Sequence, residues 1–79
     1  MLKYKLISRD GDVFVYEYWD PADKGPSGRV SYNVKTQEVA ILFLPEWDKY
    51  KFFLRHMVHI LDHNISKGIG VESGSCAWY

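Results

Sequence analysis

The sequence predicts an α+β fold: a four-stranded antiparallel β-meander with one C-terminal α-helix packed on one face. Three observations carry that expectation. The first half of the chain alternates apolar and polar residues with a period of two, in short runs separated by turn-forming residues. Residues 49–66 instead repeat apolar side chains every three to four positions. The chain has 79 residues, 47% of them hydrophobic and 16% aromatic. That is too apolar for disorder and too short for two domains.

Leu2, Tyr4 and Leu6 alternate with Lys3 and Lys5 and mark the first strand. Asp10-Gly11 has the composition of a two-residue hairpin turn with positive φ. Val13–Trp19, rich in β-branched and aromatic residues, is the second strand. With Asp10-Gly11 as the loop, Leu6 faces Val15 and Leu2 faces Trp19. Leu2, Leu6, Val13, Val15 and Trp19 then share the core face, with Tyr4 and Glu17 between them as a pair. Lys3, Lys5, Phe14, Tyr16 and Tyr18 fall on the outer face.

Residues 20–28, with two Pro and two Gly, form the one long loop. Val30, Tyr32 and Val34 alternate with Arg29, Ser31 and Asn33 in the third strand. Residues 35–38 make a polar turn. Residues 39–44 form a fourth strand that is apolar on both faces, the pattern of a strand covered on both sides or lying at an interface.

Asp48 is placed to cap a helix over residues 49–66, with Lys67 near the negative end of its dipole and Gly68 as its stop. Tyr50, Phe53, Leu54, Met57, Leu61 and Ile65 make its apolar stripe, flanked by Val58 and Ile60. A single domain, 1–79, thus divides into a meander (1–44), a helical segment (48–67) and a docked tail (68–79). The tail returns to the sheet edge or the helix and ends in Ala77-Trp78-Tyr79. The expected core is Leu2, Leu6, Val13, Val15, Trp19, Val30, Tyr32, Val39, Ile41, Phe43, Phe53, Leu54, Met57, Leu61 and Ile65.

Ten Lys and Arg balance ten Asp and Glu, leaving three His outside the count. A chain without net charge lacks the excess of cations that phosphate-tracking nucleic-acid binders carry, which argues against a nucleic-acid partner. Cys76 is the only cysteine, so no internal disulfide forms, and a lone thiol fits a reducing compartment. The first residues carry no long apolar core, and no apolar run approaches the roughly 18 residues a membrane span needs. The expectation is a cytoplasmic protein with no membrane partner.

His56, His59 and His63 follow one another at spacings of three and four, on one helix stripe headed by Phe52. Such spacing can chelate a transition metal, but one straight helix presents three His too linearly for a closed tetrahedron. A solvated face or a contact surface for a second helix is the preferred reading, and no cofactor is expected. Phe14, Tyr16 and Tyr18 with Lys3 and Lys5 have the composition of an aromatic-plus-basic face on which single-stranded bases stack. Residues 23–29 hold two Gly, a Ser and two cations, yet lead into a strand rather than a helix, so the anion-binding reading gives way to a hairpin loop. Cys76 has no charged neighbour in sequence and is expected as a buried, inert thiol. Asp10 and Asp12 are turn acids, and no catalytic constellation is visible.

The runs Val15-Tyr16-Glu17-Tyr18, Gly28-Arg29-Val30 and Lys35-Thr36-Gln37-Glu38-Val39, followed by one helix and Ala77-Trp78-Tyr79, resemble small bacterial proteins of about this length known only as hypothetical. The likeness covers most of the chain and implies no activity or site residue. Gln37 departs from it, standing where such turns often carry Gly. The expected function is therefore a non-enzymatic protein-interaction module that self-associates or meets a protein partner. Its interface candidates are Phe52, His56, His59, His63, Phe14, Tyr16 and Tyr18. The alternative is a small-ligand or single-stranded nucleic-acid binder using the outer sheet face.

Overall fold

The computed structural model describes residues 1–23 and 25–77. Lys24, Trp78 and Tyr79 lie outside them, so the expected docking of the last two residues does too. The architecture is α+β, with one antiparallel sheet and one α-helix. The strands are β1 (Leu2–Asp10), β2 (Val13–Trp19), β3 (Gly28–Asn33), β4 (Val39–Phe43) and β5 (Ser73–Cys76), in the order β4-β3-β2-β1-β5. The four-stranded expectation is corrected to five among the described residues. The tail does return to the sheet edge, and there it pairs with β1 as a further strand.

The β1–β2 hairpin overturns the expected faces. Its turn residues are Gly11 and Asp12, with Gly11 at φ 58° and Asp10 paired to Val13. A positive φ confined to the first turn position is the type II′ pattern. A β-bulge then adds one residue to β1 between Leu6 and Ser8, so that Leu6 pairs with Tyr16 and Tyr4 with Tyr18. One extra residue slips the register by one, so Tyr16 and Tyr18, rather than Val15 and Glu17, share a face with Leu6 and Tyr4. Leu2, Tyr4, Tyr16 and Tyr18 are therefore buried, Val13 is exposed, and Val15 and Trp19 are only half-buried. The chemistry favours this register. Glu17 escapes the core and meets Lys5 on the outer face at 3.4 Å, so the expected Glu17–Tyr4 pair does not form.

Two glycines make room for the tyrosines. Tyr18 lies opposite Gly28 on β3, and Tyr4 lies opposite Gly74 on β5. A Cβ on Gly28 would overlap the Tyr18 ring, and one on Gly74 would stand 2.6 Å from the Tyr4 hydroxyl. Each ring thus covers the bare backbone of the neighbouring strand.

The helix α1 (Phe52–His63) buries Leu54, Met57, Ile60 and Leu61 against this inner face, and Ile65 follows from a 3-10 turn at Ile65–Lys67. Its stripe agrees with the expected one, except that Tyr50 is exposed and Ile60 is buried. The helix begins later than expected because Asp48 sits in a separate 3-10 turn, Glu46–Asp48, and Lys51 adopts φ 64° between the two. Asp48 nevertheless caps α1. Its carboxylate accepts the Phe53 and Leu54 backbone N–H groups at 2.9 and 3.0 Å, which would otherwise lack intrahelical partners.

Candidate functional site: an exposed apolar edge

Strand β4 occupies one edge of the sheet and, among the described residues, hydrogen-bonds to β3 alone. Ile41 and Phe43, expected in the core, are 48% and 46% exposed, and Leu42 is 54% exposed. The reason is the reach of α1, whose sheet contacts centre on β1 and β2. Ile41 pairs with Val30 and projects on the inner face beyond the helix's cover. Between Ile41 and Phe43 the register slips by one residue, and Phe43 pairs with Arg29. That bulge brings Leu42 and Phe43 together with Val15, Glu17, Pro26 and Arg29 around an open groove of about 540 Å³ on the outer face.

The unpaired side of β4 has a defined hydrogen-bonding pattern. The Asn33 N–H donates to the Glu38 carbonyl at 2.9 Å. By the alternation of an antiparallel ladder, Glu38 and Ala40 turn their backbone groups towards β3, while Val39 and Ile41 turn theirs outward. The strand from Val39 to Phe43 carries no charge and no Pro, two of the devices with which natural edge strands resist pairing. Its signal in the sequence was a strand apolar on both faces.

The residues singled out from sequence are scattered. Tyr16 and Tyr18 are 0% exposed, so the expected aromatic platform on the outer face does not exist. The bulge in β1 moved them inside, away from Lys3 and Lys5 on the outer face. Phe14 is half-buried at the margin of the core, with the Arg9 guanidinium 4.4 Å from its ring centre. Phe52 is 61% exposed beside Arg55, and His56 is half-buried. The exposed rings of His59 and His63 stack at 4.2 Å. Among the described residues no three His, Cys, Asp or Glu side chains gather as a metal site. Cys76 is half-buried on β5 rather than fully buried. Among the same residues no helix is long and apolar enough to cross a membrane.

Three of the four buried tyrosine hydroxyls are committed to holding the fold. Tyr18 donates to Asp48 at 3.0 Å, Tyr16 to the Val71 carbonyl at 2.7 Å and Tyr4 to the Gly70 carbonyl at 2.8 Å. Burial, reinforced by the Tyr4 and Glu72 charges, pushes the Tyr16 phenol up to about 12. Burial and the adjacent Asp48 carboxylate push Tyr18 up further. The long loop is pinned as well, through the Trp47 indole N–H on the Pro26 carbonyl at 2.7 Å.

Comparison of the chain with family models, with curated proteins and with solved structures finds no match. The functional reading therefore rests on the geometry of the chain itself.

Proposed function

We propose that this protein is a non-enzymatic interaction module that self-associates, and that its docking surface is the free edge of β4. The observation that supports this is the uncharged five-residue strand whose outward backbone groups and three large apolar side chains are left uncovered. Exposed edges of this kind accept another strand, with main-chain hydrogen bonds giving affinity and flanking side chains giving selectivity. A neutral chain meeting its own copy incurs no net electrostatic repulsion. Lys35 and Glu38 precede β4, and Glu46 and Lys49 follow it, so each end carries one cation and one anion.

Sedimentation equilibrium at micromolar concentration tests the reading. The mass should rise with concentration towards twice the chain mass. Ile41→Lys places a charge on an already exposed position and should return the protein to a monomer with its circular dichroism unchanged. Phe52→Asp, on the far side of the helix, should leave the association intact. A monomer at every concentration, or association lost only in Phe52→Asp, rules out the β4 edge.

A further inference from the structure

The geometry points to a specific partner and register: β4 of a second copy, antiparallel, about a two-fold axis at Ala40. This rests on β4 being the docking edge. Val39 and Ile41 are the residues whose backbone groups face outward, so an added strand must hydrogen-bond to both. An axis at Ala40 sets Val39 opposite Ile41 of the second copy, and Ile41 opposite Val39 of the second copy. All four side chains then lie on the inner face, where the exposed Ile41 gains an apolar neighbour.

An axis through Ile41, one position further along the strand, fails on the faces. It would set Val39 opposite Phe43 of the second copy. The bulge at Leu42 puts Phe43 on the outer face with Arg29, whereas Val39 pairs with Tyr32 on the inner face. Residues directly opposite in an antiparallel pair must share a face. The Ala40 axis keeps its hydrogen-bonded pairs on the near side of both bulges and brings two methyl side chains together on the outer face. Glu38 meets Leu42 of the second copy, so no like charges are opposed. The oppositely directed strands also set the Lys35/Glu38 end of one copy beside the Glu46/Lys49 end of the other, each end holding both signs.

The assembly closes at two copies. A two-fold axis pairs the β4 edge of each copy with that of the other, so neither β4 edge is left to extend the assembly. A pairing of five-residue strands is short for a specific interface, so the association is expected to be weak and reversible at micromolar concentration.

Ala40 would face its own copy as a non-hydrogen-bonded pair, with Cα atoms about 4.5 Å apart, inside the about 4.4–6.8 Å that a disulfide spans. The experiment uses a Cys76→Ser background, with Ala40→Cys and Ile41→Cys made separately and treated with oxidised glutathione. Non-reducing electrophoresis should show the doubled mass for Ala40→Cys and little of it for Ile41→Cys. Cross-linking at 41 instead of 40, or equally at both, overturns the register and leaves the β4 reading standing. So does cross-linking at neither position while the Cys76→Ser protein still associates and Ile41→Lys abolishes that association. A Cys76→Ser protein that stays monomeric, or a dimer that survives Ile41→Lys, overturns the β4 reading and the register with it.

Discussion

At the scale of single residues, four tyrosines fill the inner sheet face, and their hydroxyls have unequal fates. Tyr18 donates a hydrogen bond to a buried carboxylate, while Tyr4 and Tyr16 each donate to a backbone carbonyl. The Tyr32 hydroxyl is fully buried near Asp62 and Ser66 but reaches no partner in hydrogen-bonding geometry among the described residues, and burial and the Asp62 charge raise its pKa. The Ser66 hydroxyl donates to the Asp62 carbonyl at 2.5 Å. Removing one partner of a buried charged bond costs about 1.5–3 kcal/mol, whereas deleting an unsatisfied group is neutral or favourable. Tyr18→Phe should lower the urea midpoint by an amount worth about 2 kcal/mol, and Tyr32→Phe should leave it unchanged or raise it. Equal losses in the two variants would show that ring packing, not the hydroxyl, sets their value.

At the scale of elements, the helix was legible and the first hairpin was not. A 3.6-residue period survives small errors at the ends, so Leu54, Met57, Leu61 and Ile65 were placed correctly even though α1 starts at Phe52. A two-residue period has no such tolerance. The bulge in β1 leaves no mark in the residue types, yet it exchanges Val13 and Val15 for Tyr16 and Tyr18 in the core. The candidate site was legible only in part, because the apolar run of β4 reads the same whether a strand is buried or left at an edge. Asp48 was visible as a cap, but its bond to Tyr18, 30 positions earlier, was not. Asp48→Ala strips the Phe53 and Leu54 N–H groups and the Tyr18 hydroxyl of their acceptor together. It should cost about 2–4 kcal/mol and reduce helicity by circular dichroism. Asp48→Asn keeps an acceptor oxygen and should cost less. Gln37, the departure from a glycine pattern, does hold the positive φ, at 64°. An L-residue there carries about 1–2 kcal/mol of strain, so Gln37→Gly should raise stability by up to ~1 kcal/mol after glycine's greater unfolded freedom is counted.

At the scale of the whole molecule, the tyrosine layer joins the sheet to everything packed on it, so its protonation governs the fold. Tyr18 ties β2 to the start of α1 through Asp48, while Tyr4 and Tyr16 tie β1 and β2 to residues 70 and 71 ahead of β5. Burial pushes Tyr16 up to about 12 in the folded state, and burial and Asp48 raise Tyr18 further. In the unfolded chain both return to about 10. The unfolded state therefore loses its protons first as pH rises. The stabilisation is complete below about pH 10 and declines between about 10 and 12, with Tyr16 alone accounting for roughly 2–3 kcal/mol over that interval. Urea unfolding should give the same midpoint at pH 7 as at about pH 9, and a markedly lower one at about pH 11. Tyr16→Phe should flatten that decline while lowering the midpoint at neutral pH. A midpoint that stays level up to about pH 12, or a decline as steep in Tyr16→Phe as in the parent, would show that the buried tyrosine layer does not set the alkaline limit of the fold.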